Sequence, residues 1–227
     1  MATLQYSAFD SAIFGLRFLR VTAFDVSALA DEIAAEPYDV PLVIDAKIPA
    51  SDSATIDALR GLGFEKAATM VELSWQARAL HIDLPHVETE LQLSADDLTA
   101  HAEQFIYQRF YQDPRISRSA TVKLMHTWIA NSLGGRRKSV SMGRNFCTYA
   151  LNDDRVTIDL LSCIDRGQGI AAQLLVAVQG IAVQTGLPAV HVTTEAENMV
   201  ALKTYVRAGF VPCATAVALH FVRDVQA

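Results

Sequence analysis

The sequence predicts an α/β chain with a mixed sheet (α+β in character), in which a complete domain follows a shorter, partial copy of itself. Three observations predict it. A strand-like run at 156–163 meets a glycine-bearing turn, Arg166-Gly167-Gln168-Gly169-Ile170-Ala171. The run that follows, 172–182, spaces Leu174, Leu175, Val178 and Ile181 as a helix does. Next, an apolar strand at 189–194 leads into a short helix that starts near Asn198 and stops at Gly209-Phe210. Finally, residues 43–75 lie without gaps on residues 189–221.

Taken in order, the elements begin with 16–21, whose alternation reads as a strand, and 27–36, a helix-like run that ends at Pro37. Residues 43–75 read strand, helix, Gly-Phe, strand. Gly63-Phe64 falls on Gly209-Phe210, Ala68-Thr69 on Ala214-Thr215, Val71 on Val217, Leu73 on Leu219 and Trp75 on Phe221. Leu59 stands where Tyr205 stands, Asp52 where Asn198 stands, and no glycine-rich loop precedes this copy. The front domain, 1–80, is therefore expected to buttress the fold or to wall a binding site, without chemistry of its own.

A linker is expected around 76–85, and the second domain over 86–227. There 86–93 reads as a strand, and 95–104 and 117–133 as helices. The second helix carries Ala120, Leu124, Trp128 and Leu133 on one side and ends at Gly134-Gly135. Residues 139–143, 145–151 and 155–163 make a meander, with Asn152-Asp153-Asp154 as a turn.

Composition excludes several classes. The chain has 227 residues, 51% of them hydrophobic, enough for one large core or two small ones. Its formal net charge of −6 argues against a nucleic-acid partner. No run reaches the roughly 18 apolar residues of a membrane span, and residues 1–10 lack the pattern of a secretory signal. Cys147, Cys163 and Cys213 show no metal-ligand spacing and read as buried thiols in a reducing compartment. A soluble cytoplasmic protein is the expectation.

A strand, a glycine turn and a helix start can hold a phosphate, because uncapped amides and the helix dipole both face the anion. No Lys-Ser/Thr follows, so the Walker pattern is absent, and the spacing misses GxGxxG. The two C-terminal motifs together resemble the GNAT superfamily of acyl-CoA N-acyltransferases. Its first signature, Arg/Gln-x-x-Gly-x-Gly/Ala, is met by Arg166, Gly169 and Ala171. Its second, Asn-x-x-Ala-x-x-x-Tyr-x-x-x-Gly-Phe, is met by Asn198, Ala201, Tyr205, Gly209 and Phe210. The short front domain, the segment from Arg109 to Ile116 and the run Trp128-Ile129-Ala130-Asn131-Ser132 narrow the match. They resemble the bacterial dTDP-fucosamine acetyltransferases and related enzymes, which acetylate an amino group on a nucleotide-linked sugar for surface polysaccharide.

This resemblance implies acetyl-CoA as co-substrate, a nucleotide sugar as acceptor, no metal, and a homodimer as one option. It implies that Tyr205 protonates the departing thiolate, since a phenol with a pKa of roughly 10 keeps its proton at neutral pH. The loop Arg166, Gly167, Gln168, Gly169, Ile170, Ala171 would hold the CoA pyrophosphate. Leu161, Ser162, Cys163 and Asn198 would line the pantetheine arm, the strand amides facing the thioester oxygen. Arg109, Asp113, Arg115 and Arg118, near Tyr107 and Tyr111, are the acceptor candidates, and a solvated basic helix edge explains them equally well. Asp159, His191 and a water chain all stand open as the base. Two other readings stay open: transfer to another small amine, and a CoA-binding module without catalysis.

Overall fold

The computed structural model describes residues 3–77 and 84–224; most of the expected linker at 76–85 lies outside them. In chain order the elements are β1 Leu4–Tyr6, α1 Ala8–Phe14, β2 Arg17–Val21, α2 Val26–Ala35, β3 Leu42–Pro49, α3 Ser53–Gly61 and β4 Glu65–Gln76. They continue with α4 Ala95–Glu103, α5 Arg109–Gln112, α6 Arg118–Asn131, β5 Lys138–Met142, β6 Asn145–Leu151 and β7 Val156–Ser162. The last four are α7 Ile170–Thr185, β8 Ala189–Glu195, α8 Met199–Arg207 and β9 Val211–Arg223. A π-helical turn, Ser132–Arg136, ends α6, with Gly135 at φ 104°.

Two departures from the expected elements have simple causes. Residues 86–93 form no strand; an isolated bridge joins Glu88 to Ser141. Glu88 and Glu90 are exposed on one side, and on the other Val87 and Leu91 are only partly buried and Thr89 is exposed, so little buried surface drives a longer pairing. Residues 8–14 are helical because Ser7 caps the helix, its Oγ accepting from the Asp10 amide, and Gly15 closes it in the left-handed region.

The chain forms two compact units that do not follow chain order. The first holds residues up to 70, residues 107–124, and those from 215 on; the second holds 71–106 and 125–214. In the first, β1 pairs antiparallel with β2, β2 parallel with β3, and β3 antiparallel with β9 from Leu42↔Arg223 to Pro49↔Ala216. Leu19, Leu29, Ile44, Ile48, Leu59 and Phe64 fill its core beside Leu219. Phe14 and Phe18 stack in a second cluster and Phe110 meets both edge-on, with ring centroids 5.4–5.6 Å apart.

In the second unit the strand order is β4-β8-β7-β6-β5. β5, β6 and β7 form the expected antiparallel meander, and β7 pairs parallel with β8. Helix α7 lays Leu174, Leu175 and Val178 into the core with Leu73, Val140, Cys147, Val156, Tyr205 and Phe210. Each such fully buried aliphatic contributes about 1.5–3 kcal/mol.

The internal copy is visible bond for bond. Asp52 Oδ1 accepts from the Thr55 amide at 3.1 Å, and Asn198 Oδ1 from the Ala201 amide at 3.1 Å. The Phe64 amide donates to Leu59 O, as that of Phe210 does to Tyr205 O. Gly63 and Gly209 sit at φ 91° and 87°, which only glycine adopts without strain. A Cβ on Gly63 would meet the Phe221 ring at 3.5 Å, and one on Gly209 would meet Trp75 at 3.4 Å. In each unit, therefore, the Gly-Phe turn of one copy packs against the aromatic strand end of the other.

Candidate active site

All the candidate CoA residues fall in the second unit. The turn after β7 is built by two glycines, Gly167 at φ 78° and Gly169 at φ 72°, the latter serving as N-cap of α7. No side chain caps that helix, so the amides of its first turn face outward. A Cβ on either glycine would meet nothing within 4 Å. The glycines answer a backbone requirement and leave the helix start open to approach.

Residues that the motifs do not contain hold this turn. Asn145, 1% exposed, accepts from the Ile164 and Asp165 amides at 2.9 and 3.1 Å and donates to Asp165 Oδ2 at 2.9 Å. Arg144 bridges Asp165 at 2.7 Å and Asp97 at 3.0 Å. Arg166 is exposed and donates to Gln104 Oε1 at 3.1 Å. Behind the turn, the buried His101 imidazole has Nε2 at 2.9 Å from the Arg144 carbonyl and Nδ1 at 2.7 Å from Ser162 Oγ. A carbonyl only accepts, so Nε2 carries the proton and Nδ1 accepts from the serine hydroxyl.

The strand leading into the turn parts from its neighbour. β7 and β8 pair from Val156↔Val190 to Ile158↔Val192, although β7 runs on to Ser162 and β8 to Glu195. On its other edge β7 shifts register against β6, with Thr148 opposite Leu160 and Tyr149 opposite Ile158. Asp159 is the extra residue of that bulge, and bulges often re-aim a strand beside a functional site. Beyond Ile158 the β7 backbone edge toward β8 is thus outside the ladder.

Leu161, Cys163 and Ile170 pack on the core cluster that contains Tyr205. The Tyr205 ring, 5% exposed, meets Phe210 edge-on at 5.8 Å. Burial pushes its phenol far above the ordinary value, reinforced by Cys147, Glu195 and Cys163, so it holds its proton at any working pH. Asn198 spends its carbonyl oxygen on the helix cap, and its amide nitrogen is a separate donor.

The base candidates are already engaged. Asp159 accepts from Trp128 Nε1 at 3.0 Å and Ser132 Oγ at 3.4 Å, with Arg137 Nε at 3.4 Å. His191 Nδ1 lies 2.6 Å from Glu72 Oε1, in the paired part of β8. A cleft of about 620 Å³, lined by residues such as Thr89, Gly135, Arg137, Lys138 and Tyr149, includes neither the 166–171 turn nor Tyr205.

The acceptor candidates lie in the first unit, and three of them are tied into its interior. Arg109, 8% exposed, holds Asp45 at 2.8 and 3.2 Å. Buried Asp113 takes two bonds from the Arg115 guanidinium, at 2.9 and 2.8 Å, one from the Arg115 amide at 3.0 Å, and one from His220 Nδ1 at 2.9 Å. Arg115 also pairs with Glu65 at 2.9 Å. A diphosphate role for Arg109 and Arg115, and an acceptor role for Asp113, find no support in this geometry, because Arg109 pairs with Asp45, and Arg115 and His220 satisfy Asp113. Arg118 differs: it is exposed, with its guanidinium 5.4 Å over the Tyr111 ring. The cysteines also correct the expectation of three buried thiols: Cys147 is buried, Cys163 partly so, and Cys213 exposed.

No protein-family model matches the chain. It is 25% identical over 217 residues, 92% of its own length and 93% of the other's, to dTDP-fucosamine acetyltransferase of Escherichia coli O6:H1. It superposes on a GCN5-related N-acetyltransferase from Sphaerobacter thermophilus with a TM-score of 0.60 at 14% identity, over 98% of this chain and 77% of that one. A GCN5-related N-acetyltransferase from Kribbella flavida gives 0.56 at 16% identity, over 96% and 86%. The two signatures read from the sequence are borne out in fold: this is the fold of the GNAT N-acetyltransferases, and the sequence relative is itself an acetyltransferase.

Proposed function

We propose that the chain, a GNAT-fold acetyltransferase, moves the acetyl group of acetyl-CoA to the amino group of a nucleotide-linked amino sugar such as a dTDP-4-amino-4,6-dideoxyhexose. One observation carries the acyl-transfer reading: β7 leaves β8 beyond Ile158 and delivers the chain into an uncapped helix start. Bound acetyl-CoA supplies the activated acyl group. The amides of residues 167–171 hold its pyrophosphate, with Arg166 adding charge. The free β7 edge at Leu161 and Ser162, with Cys163 just beyond it, orients the pantetheine arm, and the Asn198 amide nitrogen donates to it. Tyr205 holds a proton for the leaving thiolate. The sugar assignment rests on the E. coli relative, which matches over nearly its whole length. Within the first unit, Arg118 over Tyr111 is the acceptor contact the proposal retains.

A second reading, transfer to an amine without a diphosphate, is favoured by the internal pairing of Arg109 and Arg115. Thiol release from acetyl-CoA, measured with a dTDP-amino sugar beside aminoglycosides and amino acids, separates the two. The first reading requires turnover with the nucleotide sugar far above the others; turnover only with the simple amines sinks it. In the same assay Tyr205→Phe should lower kcat by about 10²–10⁴ while acetyl-CoA affinity stays. Arg118→Ala should raise KM for the nucleotide sugar and leave that for acetyl-CoA unchanged.

A further inference from the structure

We propose that Glu72, His191 and Cys213 form a binding site for a divalent cation of the zinc class in the second unit. One ligand atom from each lies within 4.8 Å of the other two. They come from three strands, β4, β8 and β9, and so no sequence spacing announces them. Glu72 and His191 are partly buried and Cys213 is exposed, which leaves the cluster reachable from solvent. His191 Nδ1 stands 2.6 Å from Glu72 Oε1, and Cys213 Sγ lies 3.5 Å from the Glu72 carbonyl oxygen. Ligands about 2.0–2.3 Å from a tetrahedral zinc sit roughly 3.3–3.8 Å from one another. Small rotations that open the Glu-His pair and draw in the thiol reach that spacing.

The donor set selects the metal. One thiolate, one imidazole and one carboxylate suit zinc and its neighbours and disfavour calcium and magnesium, which take oxygen ligands. A second observation points to a cation at the same place. Arg155 Nη1 rests 3.3 Å from His191 Nδ1 and 4.0 Å from Glu72 Oε1, so positive charge is already drawn to the cluster. Exposed Asp154 holds the other side of that guanidinium at 2.6 Å and keeps it when an ion takes its place. On binding, the Cys213 thiol proton leaves to solvent, and the His191 proton moves from Nδ1 to Nε2. Three protein ligands leave the fourth position to water. The bound ion ties three strands together, independently of acyl transfer.

Cobalt(II), a spectroscopic stand-in for zinc, tests this on the full-length protein. Titration should give a one-to-one thiolate-to-metal charge-transfer band, and zinc should bleach it. Cys213→Ser should abolish the band, and Glu72→Gln or His191→Asn should weaken binding at least tenfold. Arg155→Gln should tighten it several-fold by removing the competing cation. Zinc should also raise Tm in the wild type and not in Cys213→Ser, which, as a change at an exposed residue, should keep wild-type circular dichroism. No band in the wild type, or a band that survives Cys213→Ser, overturns the site.

Discussion

His101 shows what a single buried imidazole commits the molecule to. Its ring is fully buried, tilted 55° to Phe146 with centroids 4.9 Å apart, and joins Ser162 to the Arg144 carbonyl. Burial lowers its pKa, against the smaller opposing pull of the Arg144 carbonyl and Asp97. A histidine with a depressed folded pKa takes up more protons when unfolded. Its contribution to stability is therefore whole above about pH 6.5 and is lost as pH falls from there through the folded value. Tm measured from pH 7.5 to 5 should decline in the wild type, with a shallower decline in His101→Gln. Equal slopes would mean that the ring does not titrate on unfolding. His101→Leu should cost more, because the Ser162 hydroxyl and the Arg144 carbonyl each lose a partner, at about 1–3 kcal/mol per buried group. Nothing in the sequence singles out this residue. It is one polar side chain in the 95–104 helix, and its partner Ser162 lies 61 residues away.

The turn and helix from 163 to 185 were legible because their causes are local. Glycines mark the left-handed positions, and 3.6-residue spacing marks the buried face of α7. Gly169→Ala tests the turn as an element. Its φ of 72° places a Cβ in a region that costs roughly 1–2 kcal/mol, while nothing crowds it. The turn should relax, KM for acetyl-CoA should rise by up to about tenfold, and kcat should change little. An unchanged KM would show that the amides there hold nothing. The clamp on this turn was not legible, because Arg144 in the β5–β6 connection and Asn145 at the start of β6 reach it through side-chain bonds. The pairing of two acceptor candidates was hidden for the same reason: Arg109 and Arg115 look like free charge in the sequence. Asp45 and His220, which bind this cluster, stand far from it in the chain and close to it in the fold.

At the scale of the whole molecule, the two copies exchange strand ends. The first unit takes β9 from residue 215 on, and the second takes β4 from residue 71 on. Sequence similarity revealed the copies, since it aligns 43–75 on 189–221, but an alignment carries no information on which strand closes which core. Cutting the chain at the linker should therefore disable both pieces. Fragment 86–227 keeps both signatures and loses Leu73 and Trp75 from its core, while fragment 1–80 loses Leu219 and Phe221. Neither should show a cooperative thermal transition, whereas the intact chain should. A sharp transition in 86–227 alone would refute this interdependence.

The placement of β9 also bears on how the chain comes off the ribosome. In most two-domain proteins the front portion folds while the rest is still being made. Here β3 meets its antiparallel neighbour only when residues 216–223 have been translated. Until then the nascent front portion carries an open, apolar β3 edge, which is the kind of surface that recruits chaperones or pairs with the wrong strand. A premature stop near residue 210 would accordingly injure the beginning of the protein, although every residue of that beginning had been synthesised.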